Sequence, residues 1–131
     1  MKSMEGMKGV EGDLAFKVIG CAIEVHRNLG PGLLESTYEA CLCKELTLNE
    51  ISFDCQVPLE VCYKGENIDC AYRMDIVAEG TLLLELKSVE SVLPIHQAQI
   101  ISYLKLSGLK QALLINFNVR VLKDGIKSFL N

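Results

Sequence analysis

Several familiar signatures are missing from this sequence, and each absence removes a class of protein. Six cysteines stand at 21, 41, 43, 55, 62 and 70, but no two form a C-x-x-C pair and no His-x-x-x-His follows. A zinc module is therefore unsupported. The apolar stretch Leu14–Val25 is broken by Lys17 and Glu24 and falls well short of a membrane span. The opening residues MKSMEGMKGV lack the apolar run of a signal peptide. The expectation is a cytoplasmic chain with no membrane partner, its cysteines reduced and mostly buried as small hydrophobes. An excess of basic charge is missing too: 13 Lys and Arg stand against 17 Asp and Glu, a formal net charge of −4. That balance argues against a protein held to nucleic acid by bulk charge. There is no internal repeat and no low-complexity tract.

What is present is a foldable composition, 50% hydrophobic and 23% charged over 131 residues. This length suits one domain with a radius of gyration of roughly 14 Å, able to bury about two-thirds of its unfolded surface. The expected division is a flexible leader over residues 1–10 and a single domain over 11–131. The net charge hides a split. Residues 100–131 carry Lys105, Lys110, Arg120, Lys123 and Lys127 against Asp124, a net +4, while residues 1–99 carry −8. These five basic residues are candidate phosphate contacts, and a lysine-dotted solvated surface is the competing reading.

Period and punctuation give the elements. Leu14, Ile19, Ala22, Ile23, His26 and Leu29 recur at helical spacing and stop at Gly30-Pro31-Gly32. A second helix is predicted over roughly 33–49, with Leu34, Tyr38, Leu42 and Leu46 on neighbouring turns. Period two then takes over, predicting strands at 57–63, 68–78 and 81–88, with turns at 64–67 and at Glu79-Gly80. Pro94 opens a helix that Gly108 closes after about Ser107. Residues 112–117 form a continuous apolar run typical of a buried strand, and the tail 120–131 ends in a short hairpin or a final strand. The order is that of an α/β or α+β domain with helices packed on one central sheet.

The informative segment is Tyr72–Ser88. Its even positions (Tyr72, Met74, Ile76, Ala78, Leu82, Leu84, Leu86) are apolar or aromatic, and every charge lies at an odd one. The expected sheet has one face in the core and one presenting Arg73, Asp75, Glu85 and Lys87. A three-residue turn, Glu79-Gly80-Thr81, keeps all even residues on the core side and sets Asp75 opposite Glu85 and Arg73 opposite Lys87. Two carboxylates at that spacing, about 4.5 Å, repel by roughly 3–4 kcal/mol at an effective dielectric near 20. Solvation with an ion-pair cluster on Lys87 relieves this in part. A divalent cation with oxygen ligands relieves it better.

Asp75 followed by Glu85-Leu86-Lys87 resembles the PD-(D/E)XK nuclease superfamily. The run Gly32-Leu33-Leu34-Glu35-Ser36-Thr37-Tyr38 resembles the motif that names the GxxExxY protein family within it. So do His26-Arg27-Asn28-Leu29-Gly30-Pro31, the stretch from His96-Gln97-Ala98-Gln99 to Tyr103-Leu104-Lys105, the strand 113–117 and Lys123-Asp124-Gly125-Ile126-Lys127. The resemblance covers residues 12 to 131. It implies a restriction-endonuclease-like αβββαβ core, a mixed central sheet flanked by helices. It also implies Mg²⁺ or Mn²⁺ bound by Asp75 and Glu85, with the Leu86 carbonyl and Glu35 assisting and Lys87 activating water or stabilising phosphate charge. Gln99 and Tyr103, with His96 on the same helical stripe, would orient lysine, water or substrate, although packing explains Tyr103 equally well. His26, just before the Gly-Pro-Gly turn, could approach the site from the first helix or be a helix-end histidine interacting with backbone carbonyls, and no catalytic role is assigned to it. Met74 stands where the superfamily name has proline.

The function so implied is metal-dependent hydrolysis of DNA or RNA phosphodiesters. The alternatives are a nuclease fold that binds nucleic acid or a protein partner without turnover, and a structural subunit. Cutting both strands of a duplex requires a homodimer or two encounters. So small a chain leaves little surface for sequence readout, so the expectation is weak sequence specificity or a protein partner that supplies it.

Overall fold

The computed structural model describes residues 9–131. The leader expected over 1–10 therefore lies, except for its last two residues, outside the described residues. Of those two, Gly9 accepts a hydrogen bond at its carbonyl from the Ser128 hydroxyl at 2.9 Å, and Val10 packs against the core.

Helix α1 spans Asp13–Leu29 and buries Ala15, Val18, Ile19, Cys21, Ala22, Val25 and His26. The buried stripe is rotated from the expected one, leaving Leu14 and Ile23 at its edge and Leu29 exposed. Gly30 ends the helix at φ 69°, a left-handed value that suits glycine, and its N–H donates to the His26 carbonyl at 2.8 Å. Helix α2, Glu35–Leu48, buries Tyr38, Leu42 and Leu46, four residues apart on one face.

Strands β1 (Phe53–Tyr63) and β2 (Glu66–Ala78) form an antiparallel ribbon. Both begin before their predicted starts. Phe53 and Cys55 carry the alternation of Val57, Leu59 and Val61 four residues further back, and pairs such as Phe53 with Ala78 and Cys55 with Ile76 hold them in the sheet. Strand β3 (Leu82–Lys87) runs antiparallel to β2, helix α3 (Pro94–Ser107) crosses over, and β4 (Gln111–Asn116) lies parallel to β3. A 3-10 turn, Leu122–Gly125, leads to the final strand β5 (Ile126–Leu130), antiparallel to β4. Gly125 is required there, because a Cβ would run into the Asn116 carbonyl oxygen. The five strands lie in sequence order in one mixed sheet, the restriction-endonuclease-like αβββαβ arrangement with a further strand.

Helices cover both faces. On one, α1 and α2 pack on Ile76, Ala78, Leu82, Leu84, Leu86, Leu113 and Ile115. On the other, α3 packs on Val77, Leu83, Ala112 and Leu114. This corrects the expectation of one polar face: the odd positions of β3 lie beneath α3, so Leu83 is buried and Glu85 is 4% exposed. The expected core position Tyr72 is instead 45% exposed. Met74 and Ile76, two residues apart, pack into opposite clusters, so the ribbon turns over between them. At that point Gln56 takes φ 51° and the β1–β2 ladder skips the Gln56–Asp75 rung.

Candidate active site

The β2–β3 register is the expected one, with Ile76 opposite Leu84 and Ala78 opposite Leu82. Two left-handed residues make the connection, Gly80 at φ 67° and Glu79 at φ 52°. Glu79 is held by its carboxylate, which accepts from the Ser52 N–H at 2.6 Å and the Ser52 hydroxyl at 2.7 Å.

The regular ladder ends at Ile76 and Leu84, and side chains take over where Asp75 meets Glu85. The Asp75 N–H donates to Glu85 Oε2 at 2.8 Å, and the Leu86 N–H donates to Asp75 Oδ2 at 2.8 Å. Each carboxylate is thus fixed by the other strand's main chain, and the strands splay beyond this point. The expected Arg73–Lys87 rung does not form.

Burial and mutual repulsion dominate the electrostatics. The Glu85 carboxyl is pushed up to about 8, first by desolvation and then by the Asp75 charge, with Lys87 opposing. Desolvation also raises Asp75, against the Leu86 N–H and Lys87, while the charge of Glu35 raises it further. Lys87 is half-buried and makes no ion pair among the described residues, so the competing reading of a Glu85/Lys87/Asp75 ion-pair cluster is not met.

Helix α2 brings Glu35 to this point through a fixed turn. Tyr38 is fully buried and stacks on Phe117 with centroids 4.4 Å apart. Its hydroxyl donates to the Gly30 carbonyl at 2.6 Å and accepts from the Leu33 N–H at 3.2 Å. Residues 30–33 are thereby clamped, and Glu35 accepts from the Ser88 N–H at 3.3 Å, just beyond β3. The Ser88 hydroxyl in turn donates to the Leu33 carbonyl at 2.6 Å.

Three residues that the sequence reading passed over also shape the site. Glu39, one helical turn after Glu35, is half-buried and its carboxyl is raised by desolvation and then by the Asp75 charge. Gln56 donates to Glu39 Oε1 at 2.9 Å, and its amide favours the ionised form of Asp75. Asn116, 3% exposed and opposite Lys87 on β4, pins the loop after β3. Its Oδ1 accepts from the Val89 N–H at 3.1 Å and its Nδ2 donates to the Val89 carbonyl at 3.0 Å. Spacing from Glu35 was the available signal for Glu39. Neither Gln56 nor Asn116 had one, since both depend on long-range pairing.

On the other side of β3, Gln99 donates to the Tyr103 hydroxyl at 3.2 Å, and both line a groove that includes Lys87. Tyr103 is 6% exposed, and its hydroxyl is held protonated by desolvation and the nearby charge of Glu85. His96 Nδ1 accepts from the Leu93 N–H at 3.0 Å, capping α3. His26 is buried, its Nε2 bonded to the Val119 carbonyl at 2.7 Å and its ring 6.4 Å from that of Phe117.

The five basic candidates do not form one patch. Arg120, Lys123 and Lys127 follow the β4 end that adjoins Lys87, whereas Lys110 precedes the other end of β4 and Lys105 lies in the last turn of α3. Six strand residues, roughly 17–20 Å, separate the two ends. The cysteines are also less buried than expected: Cys55, Cys62 and Cys70 are exposed on the β1–β2 ribbon. Cys43 lies 3.0 Å from Cys55 Sγ to Sγ, and burial with that contact pushes its thiol up to about 12.

Among the described residues no group of three or more His, Cys, Asp or Glu side chains is already gathered into a metal cage. The donor set nonetheless suits a hard divalent cation. Asp75 and Glu85 face each other across two strands, and the second Glu85 oxygen has no donor among the described residues. The elevated Glu85 carboxyl is that of a site short of positive charge.

Comparison with curated proteins and with solved structures finds no match. No helix among the described residues is long and apolar enough to cross a membrane. Residues 12–129 match the PD-(D/E)XK nuclease superfamily, a span that runs from α1 to all but the last residue of β5. With Asp75, Glu85 and Lys87 at the splayed end of β2 and β3, the chain belongs to the PD-(D/E)XK nuclease superfamily.

Proposed function

We propose that the protein is a metal-dependent phosphodiesterase acting on nucleic acid, and that it belongs to the GxxExxY group within the superfamily. The observation that carries this reading is the reciprocal fixing of Asp75 and Glu85 by each other's main chain, with Lys87 one residue beyond Leu86. Such a pair is preorganised, so binding a cation requires no rearrangement of the strands.

Asp75 and Glu85 would hold Mg²⁺ or Mn²⁺, with the Leu86 carbonyl and Glu35 completing the protein ligands. The ion would supply Lewis-acid stabilisation of phosphate charge and a lowered pKa for a bound water. Lys87, free of an ion pair among the described residues, offers its ammonium to the attacking water or to a phosphoryl oxygen. Gln56, itself bonded to Glu39 of α2, steadies Asp75, and Gln99 and Tyr103 lie where they can orient Lys87 or the substrate backbone. Four carboxylates and one lysine leave −3 when all are ionised, more than one divalent ion offsets. In this reading residues 11–131 act as one domain in the cytoplasm. Arg120, Lys123 and Lys127 are the phosphate contacts at the site's end of the sheet, and a second copy or a protein partner supplies double-strand cutting or specificity.

The test is divalent-dependent cleavage of a panel of DNA and RNA substrates by the wild type, Asp75→Ala and Lys87→Ala. Cleavage that requires the ion and falls by at least about 100-fold in both variants supports the proposal. Cleavage that survives both substitutions refutes it, and binding without any cleavage leaves the non-catalytic nucleic-acid module.

A further inference from the structure

Beside the acidic cluster lies a groove of about 510 Å³ between α3 and the outer part of β2, in the size range of ligand clefts. Its walls differ in character from the cluster. Tyr72 and Tyr103 are aromatic, Ile95 and Leu106 are apolar and exposed at 68% and 42%, and no carboxylate among the described residues lines it. Lys87 lines it too, which makes the groove continuous with the candidate active site.

Tyr72 is the unusual member. It stands on β2 at a position whose parity predicts burial, yet it is 45% exposed. The buried Tyr103 supports its ring from behind, with centroids 6.0 Å apart and planes inclined at 57°. An aromatic ring held in place with one face open, beside an apolar wall and a lysine, has the chemistry that receives a nucleobase and its phosphate together. His96 and Gln99 supply polar groups at the same walls for the base edges.

We propose that this groove seats one unpaired nucleotide of the strand being cut, its base stacked on Tyr72 and its phosphate beside Lys87. The substrate class is then single-stranded nucleic acid, or the unpaired part of a flap or end. A base within a duplex has both faces covered by its neighbours and cannot stack on Tyr72 without being extruded. The placement beside a scissile phosphate rests on the nuclease reading, but the binding site itself does not.

The experiment measures binding of the full chain to labelled oligonucleotides by fluorescence anisotropy at low salt, in EDTA and again in Ca²⁺. The probes are a mixed-sequence single strand, as DNA and as RNA, and the blunt duplex of the same sequence. Wild type is expected to prefer the single strands, and the DNA and RNA arms read any sugar preference. Tyr72→Ala is expected to weaken single-strand binding by roughly 5- to 150-fold, the range for loss of one base–aromatic stack. Tyr72→Phe retains binding, and Tyr72→Leu, which keeps apolar area without the ring, loses it. Thermal melts confirm that the variants fold. Equal or tighter binding of the duplex, unchanged binding by Tyr72→Ala, or no binding of either form in both conditions overturns the proposal. Single-strand binding without cleavage leaves it standing and sinks the nuclease reading. Duplex cleavage indifferent to Tyr72→Ala does the reverse.

Discussion

Glu85 lies beneath α3, where a charge is costly, and faces Asp75, where a second negative charge is costlier. The consequence is a pH-dependent stability of definite sign. In the unfolded chain Glu85 titrates near 4.5, and in the ion-free fold near 8. Below the lower value both states hold the proton and nothing is lost. As the pH climbs through the upper value, the unfolded chain has released its proton freely while the fold must bury the charge, and stability falls. Desolvation raises Asp75 in the same direction. Urea unfolding in EDTA from about pH 5 to pH 9 is expected to show a loss on the order of a few kcal/mol, with Glu85→Gln flattening the profile. A profile identical in wild type and Glu85→Gln contradicts this. Individual residues were legible in the sequence where a strand's parity exposed them, as for Asp75, Glu85 and Lys87. Tyr72 shares the parity of Ile76 and still faces solvent, because the ribbon turns over between Met74 and Ile76, and alternation carries no sign of such a reversal.

Two elements position the carboxylates, and each rests on one side chain. The α1–α2 turn depends on Tyr38, whose hydroxyl bonds both Gly30 and Leu33. Tyr38→Phe keeps the stack on Phe117 but leaves these groups unmatched, and a loss of about 1–3 kcal/mol in chemical unfolding is expected. The turn carries Glu35, so nuclease activity should fall with stability. The β1–β2 ribbon depends on Gln56, held at φ 51° where the ladder breaks. Gln56→Ala removes the amide from Glu39 and Asp75. Since a hydrogen bond to a charged group is worth roughly 1.5–3 kcal/mol, up to about 100-fold in cleavage is at stake with little change in melting temperature. A Gln56→Ala enzyme of wild-type rate would show the amide to be a bystander. Helix α3 was predicted with its observed limits because Pro94 and Gly108 punctuate it locally. Strand β1 was predicted four residues short although Phe53 and Cys55 carry its alternation back to the start, where pairing with β2 completes the strand.

Across the whole molecule, the net charge of −4 is distributed unevenly. Acidic groups gather where β2, β3 and α2 meet, and Arg120 and Lys123 follow the adjoining end of β4, with Lys127 opposite Leu114 two residues inside that end and Lys105 and Lys110 at the far end. Neutralising one basic residue at the near end should lower the salt dependence of nucleic-acid binding by about one unit of slope, and neutralising Lys105 or Lys110 should not. The sequence already held the charge split between residues 1–99 and 100–131. The division of the basic quarter into two ends is a property of β4 running parallel to β3, which no local pattern encodes. The central claim is that Asp75 and Glu85 hold a divalent cation, and crystals soaked in Mn²⁺ test it most directly. An anomalous peak between these two carboxylates that vanishes in Asp75→Ala is the predicted result. A soaked crystal with no peak there, or with its Mn²⁺ at other residues, contradicts the account.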